Sequence, residues 1–345
     1  MRLRPVLLVA FLTFAAALPF SAQAASVADF YKGSTLHVIV GYEPGGGFDA
    51  YGRLLADYLP RYLPGAPKAL VENMPGAATL KAASYIYNIA AQDGTVIGIP
   101  NHAVPLNAFV WQEVGNGVDV TKLQWIGRLA AIDVTCVAWH TTGVKGIEGA
   151  KKQSLVLAAT SPTGTSVMMP TAMNRLIGTK FKVVQGYKGT TEEYLAMEKG
   201  ETQGMANAIW SQLRRSHPQW IAQHKLVPLY QDAYKRMPGL ETVPTAAELA
   251  ANEDDRKVLR LLGSTAEVGR SFYVGPKVPA ERVAALRRAF TQMVQDPAFQ
   301  KEAERLKIDL DPMAGEELQK MIGELGLYPA SLLERTRQLV ASDSK

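Results

Sequence analysis

The sequence predicts an α/β fold in which parallel strands alternate with helices. Three short apolar runs support this prediction: His37–Val40, Ala69–Val71 and Thr95–Ile99. Each is followed by a loop, and a helical pattern follows the first and the second loop. Such alternation is typical of βαβ units. The chain has 345 residues, of which 47% are hydrophobic and 20% charged. This is an ordinary globular composition, and the length is sufficient for two lobes.

The first strand leads into a glycine-rich loop, Gly41 to Arg53, with the sequence GYEPGGGFDAYGR. Leu54 to Tyr62 then follow a helical pattern with one apolar face. Gly45, Gly46 and Gly47 allow positive φ angles and a close approach of a ligand to the backbone. The helix start adds unpaired N–H groups and the positive end of the helix dipole. We therefore predict a cradle for a carboxylate or phosphate, with a plain tight turn as the alternative.

The loops after the first three strands begin at Gly41, Glu72 and Pro100. The carboxyl ends of parallel strands lie at one edge of the sheet, and ligands bind outside that edge. The sequence therefore predicts that these three loops meet around one binding site.

A second strand–loop–helix unit lies farther along the chain. Leu155 to Ala159 predicts a buried strand, and Thr160 to Ser166 is a hydroxyl-rich loop. A helix should begin close to Ser166, because Pro170 is tolerated only near a helix start. The hydroxyls of the loop can cap this helix or hold a carboxylate, and the methionines that follow predict core packing. Before this unit, Leu123 to Ala138 predicts a crossing between the lobes.

The first 24 residues predict a cleavable signal peptide and hence a periplasmic protein. Arg2 and Arg4 form a positive n-region, Val6 to Phe20 an apolar core, and Ala22 to Ala24 an A-x-A cleavage site. An uncleaved anchor is the alternative, although the apolar run is shorter than a membrane span requires. Removing both arginines lowers the formal net charge from +5 to +3, which does not indicate nucleic-acid binding.

The residues that usually carry catalysis do not predict an enzyme, a metal site or a cofactor. The five histidines lack zinc-site spacing, no G-x-S-x-G elbow is present, and Gly186 to Thr191 lacks phosphate-loop spacing. Cys136 is the single cysteine and lies in an apolar run, which favours a buried structural thiol over a nucleophile. A catalytic triad assembled only in space stays open.

Five motifs follow one another along the chain: Gly41–Arg53 (GYEPGGGFDAYGR), Val71–Ala77 (VENMPGA), Asp93–Ile97 (DGTVI), Tyr187–Gly189 (YKG) and Lys235–Thr245, which contains KRMP and VPT. In order and spacing they resemble the motifs of the periplasmic solute-binding receptors of tripartite tricarboxylate transporters, the Bug or TctC-type proteins. The resemblance covers essentially the whole mature chain.

The resemblance implies the type II-like fold of periplasmic binding proteins, with two α/β lobes that close on a small organic carboxylate in the cleft between them. Each lobe should hold a mixed or parallel sheet flanked by helices. Lobe 1 should comprise residues 25–128 and 229–345, and lobe 2 residues 129–228. The resemblance further implies capture without catalysis or cofactor, a monomer, and membrane permease subunits as partners. A sensor subunit and an exported enzyme with a cryptic site are the alternatives.

Carried over by position, the resemblance implicates these residues in ligand binding: Tyr42, Gly45, Gly46, Gly47, Phe48, Asp49, Asn101, Ser161, Gly164, Thr165, Ser166 and Asn207. In the family, main-chain groups and waters near the double glycine hold one carboxylate, and the hydroxyl-rich loop holds another polar group.

Three departures from the family pattern bear on the ligand. Gly47 and Phe48 replace small hydroxyl residues, and Asn207 replaces an acid. Because Phe48 would form an apolar wall and Gly47 would make room, we expect an aromatic or bulkier monocarboxylate rather than citrate. Asp49 should orient the loop or a water, because its charge would repel an anionic ligand.

Overall fold

The computed structural model describes residues 26–76, 79–111, 117–160, 164–187 and 189–341. The predicted signal peptide and Ser161 lie outside these ranges. No helix within them is long and apolar enough to cross a membrane. Two mixed β-sheets flanked by helices form the structure, as the sequence predicts.

The first sheet has six strands in the order β11-β4-β10-β3-β1-β2. Their bounds are β1 Thr35–Val40, β2 Lys68–Asn73, β3 Val96–Ile99, β4 Gln124–Arg128, β10 Ser271–Val274 and β11 Met313–Ala314. Strand β1 pairs in parallel with β2 and β3, so the loops after these three strands leave the same edge of the sheet. Strand β10 runs antiparallel to β3 and β4.

The second sheet has five strands in the order β7-β6-β8-β5-β9. Their bounds are β5 Val134–Trp139, β6 Leu155–Ala158, β7 Phe181–Val184, β8 Gly204–Ile209 and β9 Leu226–Gln231. Strand β6 is parallel to β7 and β8, whereas β5 is antiparallel to β8 and β9. The range Leu123 to Ala138, predicted as a crossing between the lobes, includes β4 of the first sheet and most of β5 of the second.

Helices connect the strands and cover the sheets. Those in the first half of the chain are α1 Val27–Tyr31, α2 Gly47–Tyr58, α3 Leu80–Asn88, α4 Val104–Val110, α5 Gly146–Lys152 and α6 Thr165–Ile177. Those in the second half are α7 Thr190–Glu198, α8 Trp210–Ser216, α9 Pro218–Ala222, α10 Glu253–Val268, α11 Ala280–Gln295, α12 Pro297–Arg305, α13 Gly315–Gly326 and α14 Ala330–Val340. Short 3₁₀ turns occupy Leu59–Arg61, His140–Thr142 and Ala247–Leu249.

Apolar helix faces bury both sheets. Leu54 and Leu55 of α2 share one core cluster with Val38 of β1, and each such side chain contributes roughly 1.5–3 kcal/mol when fully buried. Met168 and Met173 of α6 belong to a second cluster on the other sheet, so the methionines are core residues, as predicted. Helices α10 and α14 also pack on α6. The range 229–345 therefore contributes to both sheets, and the division of the chain into lobes stays a prediction.

The junction between α10 and β10 holds the crossing segment. The Leu129 N–H donates to the Arg270 carbonyl at 2.9 Å, and the Arg270 N–H donates to the Ala130 carbonyl at 2.8 Å. Gly269 has φ +52°, and a Cβ there would lie 2.1 Å from the Ala130 carbonyl oxygen. Only glycine fits this position. The junction consequently places Arg270 beside the crossing between the two sheets.

Candidate functional site

Asp49 holds the glycine-rich loop in place. Its side chain is buried, and its carboxylate accepts hydrogen bonds from the Gly45 N–H at 2.9 Å, Arg53 Nε at 2.8 Å and Asn73 Nδ2 at 2.9 Å. Asn73 also donates to the Tyr42 carbonyl at 2.9 Å. Burial alone would raise the pKa of Asp49, but the hydrogen bonds from Arg53, Gly45 and Asn73 outweigh it and lower the pKa. The Asp49 carboxylate thus binds the glycine-rich loop through the Gly45 N–H, together with the Arg53 and Asn73 side chains.

The first turn of α2 leaves backbone N–H groups unpaired. Gly46 is the N-cap and offers no side chain to bond them. The first bond of the helix runs from the Ala50 N–H to the Gly46 carbonyl at 3.0 Å. The N–H groups of Gly47, Phe48 and Asp49 therefore have no acceptor within the helix. They carry the positive end of a 12-residue helix dipole, which is the anion-attracting geometry that the sequence predicts.

A guanidinium group that the sequence did not reveal lies against this turn. The Cζ atom of Arg270 lies 3.8 Å from the ring centroid of Phe48 and 5.5 Å from that of Tyr51. A Cβ at Gly47 would lie 3.5 Å from Nη2 of Arg270, which is an ordinary van der Waals distance, so the guanidinium is in contact range of the first turn of α2. Nη1 is buried without a hydrogen-bond partner, and Arg270 forms no ion pair within the described ranges.

Phe48 supports the guanidinium instead of forming the expected open wall. Its ring stacks on Tyr42 with centroids 4.4 Å apart and planes 16° apart, while Arg270 covers it at 3.8 Å. Two groups this close to one ring must occupy opposite faces. The side chain is only 9% exposed, so little apolar surface is left for a ligand.

His102 completes the aromatic surroundings of Arg270. Its ring lies parallel to that of Phe48 with centroids 6.2 Å apart. Burial and the nearby Arg270 charge lower the pKa of His102 to about 3, so the imidazole is neutral at physiological pH. Its Nδ1 atom is buried and has no partner among the described residues. No local sequence pattern indicated this unpaired nitrogen close to Phe48.

Asn101 joins the loop after β3 to the loop after β1. Its Oδ1 accepts from the Ala103 N–H at 2.8 Å, and its N–H donates to Thr79 Oγ1 at 2.9 Å. Thr79 packs on Gly41, where a Cβ would lie only 2.6 Å from the threonine Cβ. Burial raises the pKa of Tyr42, although a hydrogen bond with the Asn101 side chain opposes the rise. The loops therefore meet as predicted from the parallel strands.

The hydroxyl-rich loop of the second sheet forms a similar helix start. Gly164 is the N-cap of α6, and the Val167 N–H donates to the Gly164 carbonyl at 3.0 Å. The N–H groups of Thr165 and Ser166 consequently lack an acceptor within the helix. The Ser166 hydroxyl does not cap the helix; it accepts from the Thr160 N–H at 3.3 Å and supports the loop.

Asn207 lies in β8 beside a buried acid that the sequence did not single out. Glu193 is completely buried, and neither of its carboxylate oxygens has a hydrogen-bond partner among the described residues. Burial raises the pKa of Glu193 to about 7, with the nearby Asn207 side chain partly opposing the rise. An acid is therefore present near position 207, although it comes from α7.

The predicted site residues thus gather at the edges of two sheets. Tyr42 to Asp49 and Asn101 lie at the first, and Gly164 to Ser166 and Asn207 lie at the second. No hydrogen bond or ring contact joins the two groups in the part of the chain that is described. Among those same residues, no cluster of His, Cys, Asp or Glu could hold a metal ion. Cys136 is buried in β5, and burial raises its pKa.

Solved structures of binding proteins share the fold of this chain. A TctC solute-binding protein from Polaromonas superimposes with a TM-score of 0.67 over 89% of this chain and 99% of its own, at 18% identity. The chain has the TctC-type fold. The periplasmic binding protein BugD gives a TM-score of 0.62 at 18% identity, over 90% of this chain and 99% of its own. An R. palustris protein with adipate gives 0.62 at 16% identity, over 89% and 97%.

Sequence comparison leads to the same group. A Cupriavidus necator protein described as "UPF0065 protein in gbd 5'region" is 28% identical over 244 residues, which are 68% of each chain. No protein-family model matches the chain. The resemblance to TctC-type proteins that the motifs suggest is confirmed by the fold.

Proposed function

We propose that this protein is a periplasmic solute-binding protein that captures a small organic carboxylate for a tripartite transporter, without catalysis. The observation that carries this proposal is the uncapped start of α2 beneath the glycine-rich loop, placed at a sheet edge of a TctC-type fold. R. palustris proteins of this fold have been solved with adipate and with malate, and these ligands support a carboxylate as the solute.

The ligand would lie in a cleft between the two sheets. The start of α2 would hold a carboxylate, and the start of α6 with Asn207 would hold the other end of the ligand. A solute that contacts both sides favours the closed state by its extra contacts there. Closure would be a hinge motion about the segment between β4 and β5. The monomeric closed protein would then dock on the membrane permease subunits, after export through the predicted signal peptide.

A thermal-shift screen of the mature protein tests this proposal. The panel contains malate, adipate, citrate, hexanoate and benzoate, with hexanamide and benzamide as uncharged controls. A ligand at about 100 times its dissociation constant stabilises the folded state by roughly 2.7 kcal/mol, which raises the melting temperature by on the order of 5 °C. At least one acid should give this shift and the amides none. A panel in which no acid shifts the melting temperature contradicts carboxylate capture.

A further inference from the structure

We propose that Arg270 forms a direct ion pair with the ligand carboxylate, so that this chain binds its solute through a charged side chain as well as through backbone N–H groups. This inference rests on the proposed function and deepens it. It concerns a residue more than 200 positions away from the glycine-rich loop, brought there by the antiparallel insertion of β10 between β3 and β4.

The guanidinium of Arg270 is partly buried and lacks a charged partner among the described residues. Its five N–H donors make no hydrogen bond with any described residue, and Nη1 has no exposed surface. Withdrawing part of a charged group from water without a partner is unfavourable. The start of α2 lies beside it, with Gly47 in contact range of Nη2, and carries the same sign of charge. Two positive groups at this separation repel each other, and an anion between them would relieve both penalties.

The acids near Arg270 are already engaged. Asp133 accepts from the Ser211 N–H at 2.6 Å and from the Ser211 hydroxyl at 2.8 Å. Asp309 pairs with Arg215. The Asp49 carboxylate is bound to the loop and its supports. Asp133 acts on Arg270 through its charge, but no described acid forms an ion pair with Arg270, so a ligand carboxylate can take that position.

The surroundings orient the guanidinium for a carboxylate. Phe48 covers one face of the planar group at 3.8 Å, which leaves the in-plane N–H donors free to bind two carboxylate oxygens together. The backbone of Arg270 is held by Leu129 and Ala130. The departure from the family pattern at position 48 thus has an explanation: the Phe48 ring supports the guanidinium of Arg270.

Calorimetric titration of Arg270→Met, Arg270→Lys and a control, Arg215→Met, tests the ion pair. The probes are malate, adipate, hexanoate, benzoate and the amides of the last two. The wild type should bind at least one acid, and Arg270→Met should lose roughly 100-fold in affinity for that acid. Arg270→Lys should lose less affinity, because lysine keeps the positive charge but not the paired N–H donors of the guanidinium. Arg215→Met removes a nearby arginine that already has a partner, and its affinity should stay within about threefold of the wild type.

Urea unfolding without ligand separates a binding role from a structural one. Arg270→Met removes an unpaired charge together with its contact with the Phe48 ring, and because these two changes oppose each other, its urea midpoint should stay close to that of the wild type. Equal affinities of wild type and Arg270→Met would overturn the ion pair and leave the proposed function standing. A clear loss of stability in the unliganded variant would assign Arg270 a structural role and also overturn it. If the wild type bound none of the acids, both the ion pair and the proposed function would fail.

Discussion

Replacing Asp49 by asparagine should loosen the glycine-rich loop. The carboxylate accepts from donors on both of its oxygens: Gly45 and Arg53 Nε on Oδ2, and Asn73 and Arg53 Nη2 on Oδ1. Asparagine has one acceptor oxygen and one NH₂ group. In either orientation of the amide, NH₂ faces N–H donors, so at least two hydrogen bonds are lost and two donors are opposed.

These contacts determine how much the free energy of unfolding falls in Asp49→Asn. A hydrogen bond to a charged group contributes about 1.5–3 kcal/mol. The Arg53 side chain is 51% exposed, so its share is discounted for solvent screening. The buried bonds from Gly45 and Asn73 outweigh those from Arg53, and one of the two is lost in either orientation of the amide. Asp49→Asn should therefore reduce the free energy of unfolding by about 2–4 kcal/mol at pH 7. Asp57→Asn on the exposed side of the same helix should change it by less than about 0.5 kcal/mol.

Urea denaturation at pH 7 and pH 3 measures this effect. The folded-state pKa of Asp49 is lowered, so its charge stabilises the fold above the unfolded-state pKa, and that contribution is lost as the pH falls through the folded-state pKa. The deficit of Asp49→Asn should therefore shrink at pH 3. A variant as stable as Asp57→Asn at pH 7 would refute the loop-orienting role.

Three further predictions follow from buried groups. The folded-state pKa of Glu193 is raised to about 7, so the stability of the wild type falls as the pH rises from about 4.5 to 7. The stability of Glu193→Gln relative to the wild type should therefore rise by up to roughly 3 kcal/mol between pH 4 and 8. Parallel pH profiles of the two proteins in urea unfolding would contradict this. Cys136 should resist a thiol reagent in the native protein and react only after unfolding; rapid native labelling would contradict its burial. Gly269→Ala should destabilise the fold by at least roughly 3 kcal/mol, because the added Cβ would clash with Ala130. The control Gly323→Ala lies in a helix with open space around it and should stabilise the fold by about 0.5–1 kcal/mol. Similar thermal midpoints of the two variants would contradict this.

Local sequence patterns predicted the strands of the first sheet edge and several helix starts. The apolar runs before Gly41 and around Val96 are β1 and β3, because buried parallel strands need continuous apolar residues. An N-cap aspartate followed by a proline is also a pattern that needs only local geometry: Asp296 caps α12, accepting from the Ala298 N–H at 2.7 Å, and Pro297 is the first helical residue. The hydroxyl-rich loop also precedes a helix that begins within one residue of the predicted start.

Contacts between residues that are far apart in the sequence could not be predicted from local patterns. Arg270 reaches Phe48 only because β10 inserts antiparallel beside β3, and no local pattern specifies that neighbour. A faint signal existed: a lone arginine between Gly269 and the apolar run Ser271–Val274. Phe48 was expected to form an apolar wall of the pocket because it replaces a small hydroxyl residue of the family pattern, and its contact with Arg270 could not be read from its neighbours in sequence. Glu193 was hidden for the same reason, since its proximity to Asn207 joins two different elements.

The most direct test of the account is calorimetry of the wild-type mature protein with the acid that gives the largest thermal shift, followed by recovery of that acid. The account predicts one ligand per chain, a negative heat-capacity change from apolar burial on closure, and recovery of the acid chemically unchanged. Absence of saturable heat with every carboxylate, or conversion of the bound acid into a product, would contradict capture without catalysis.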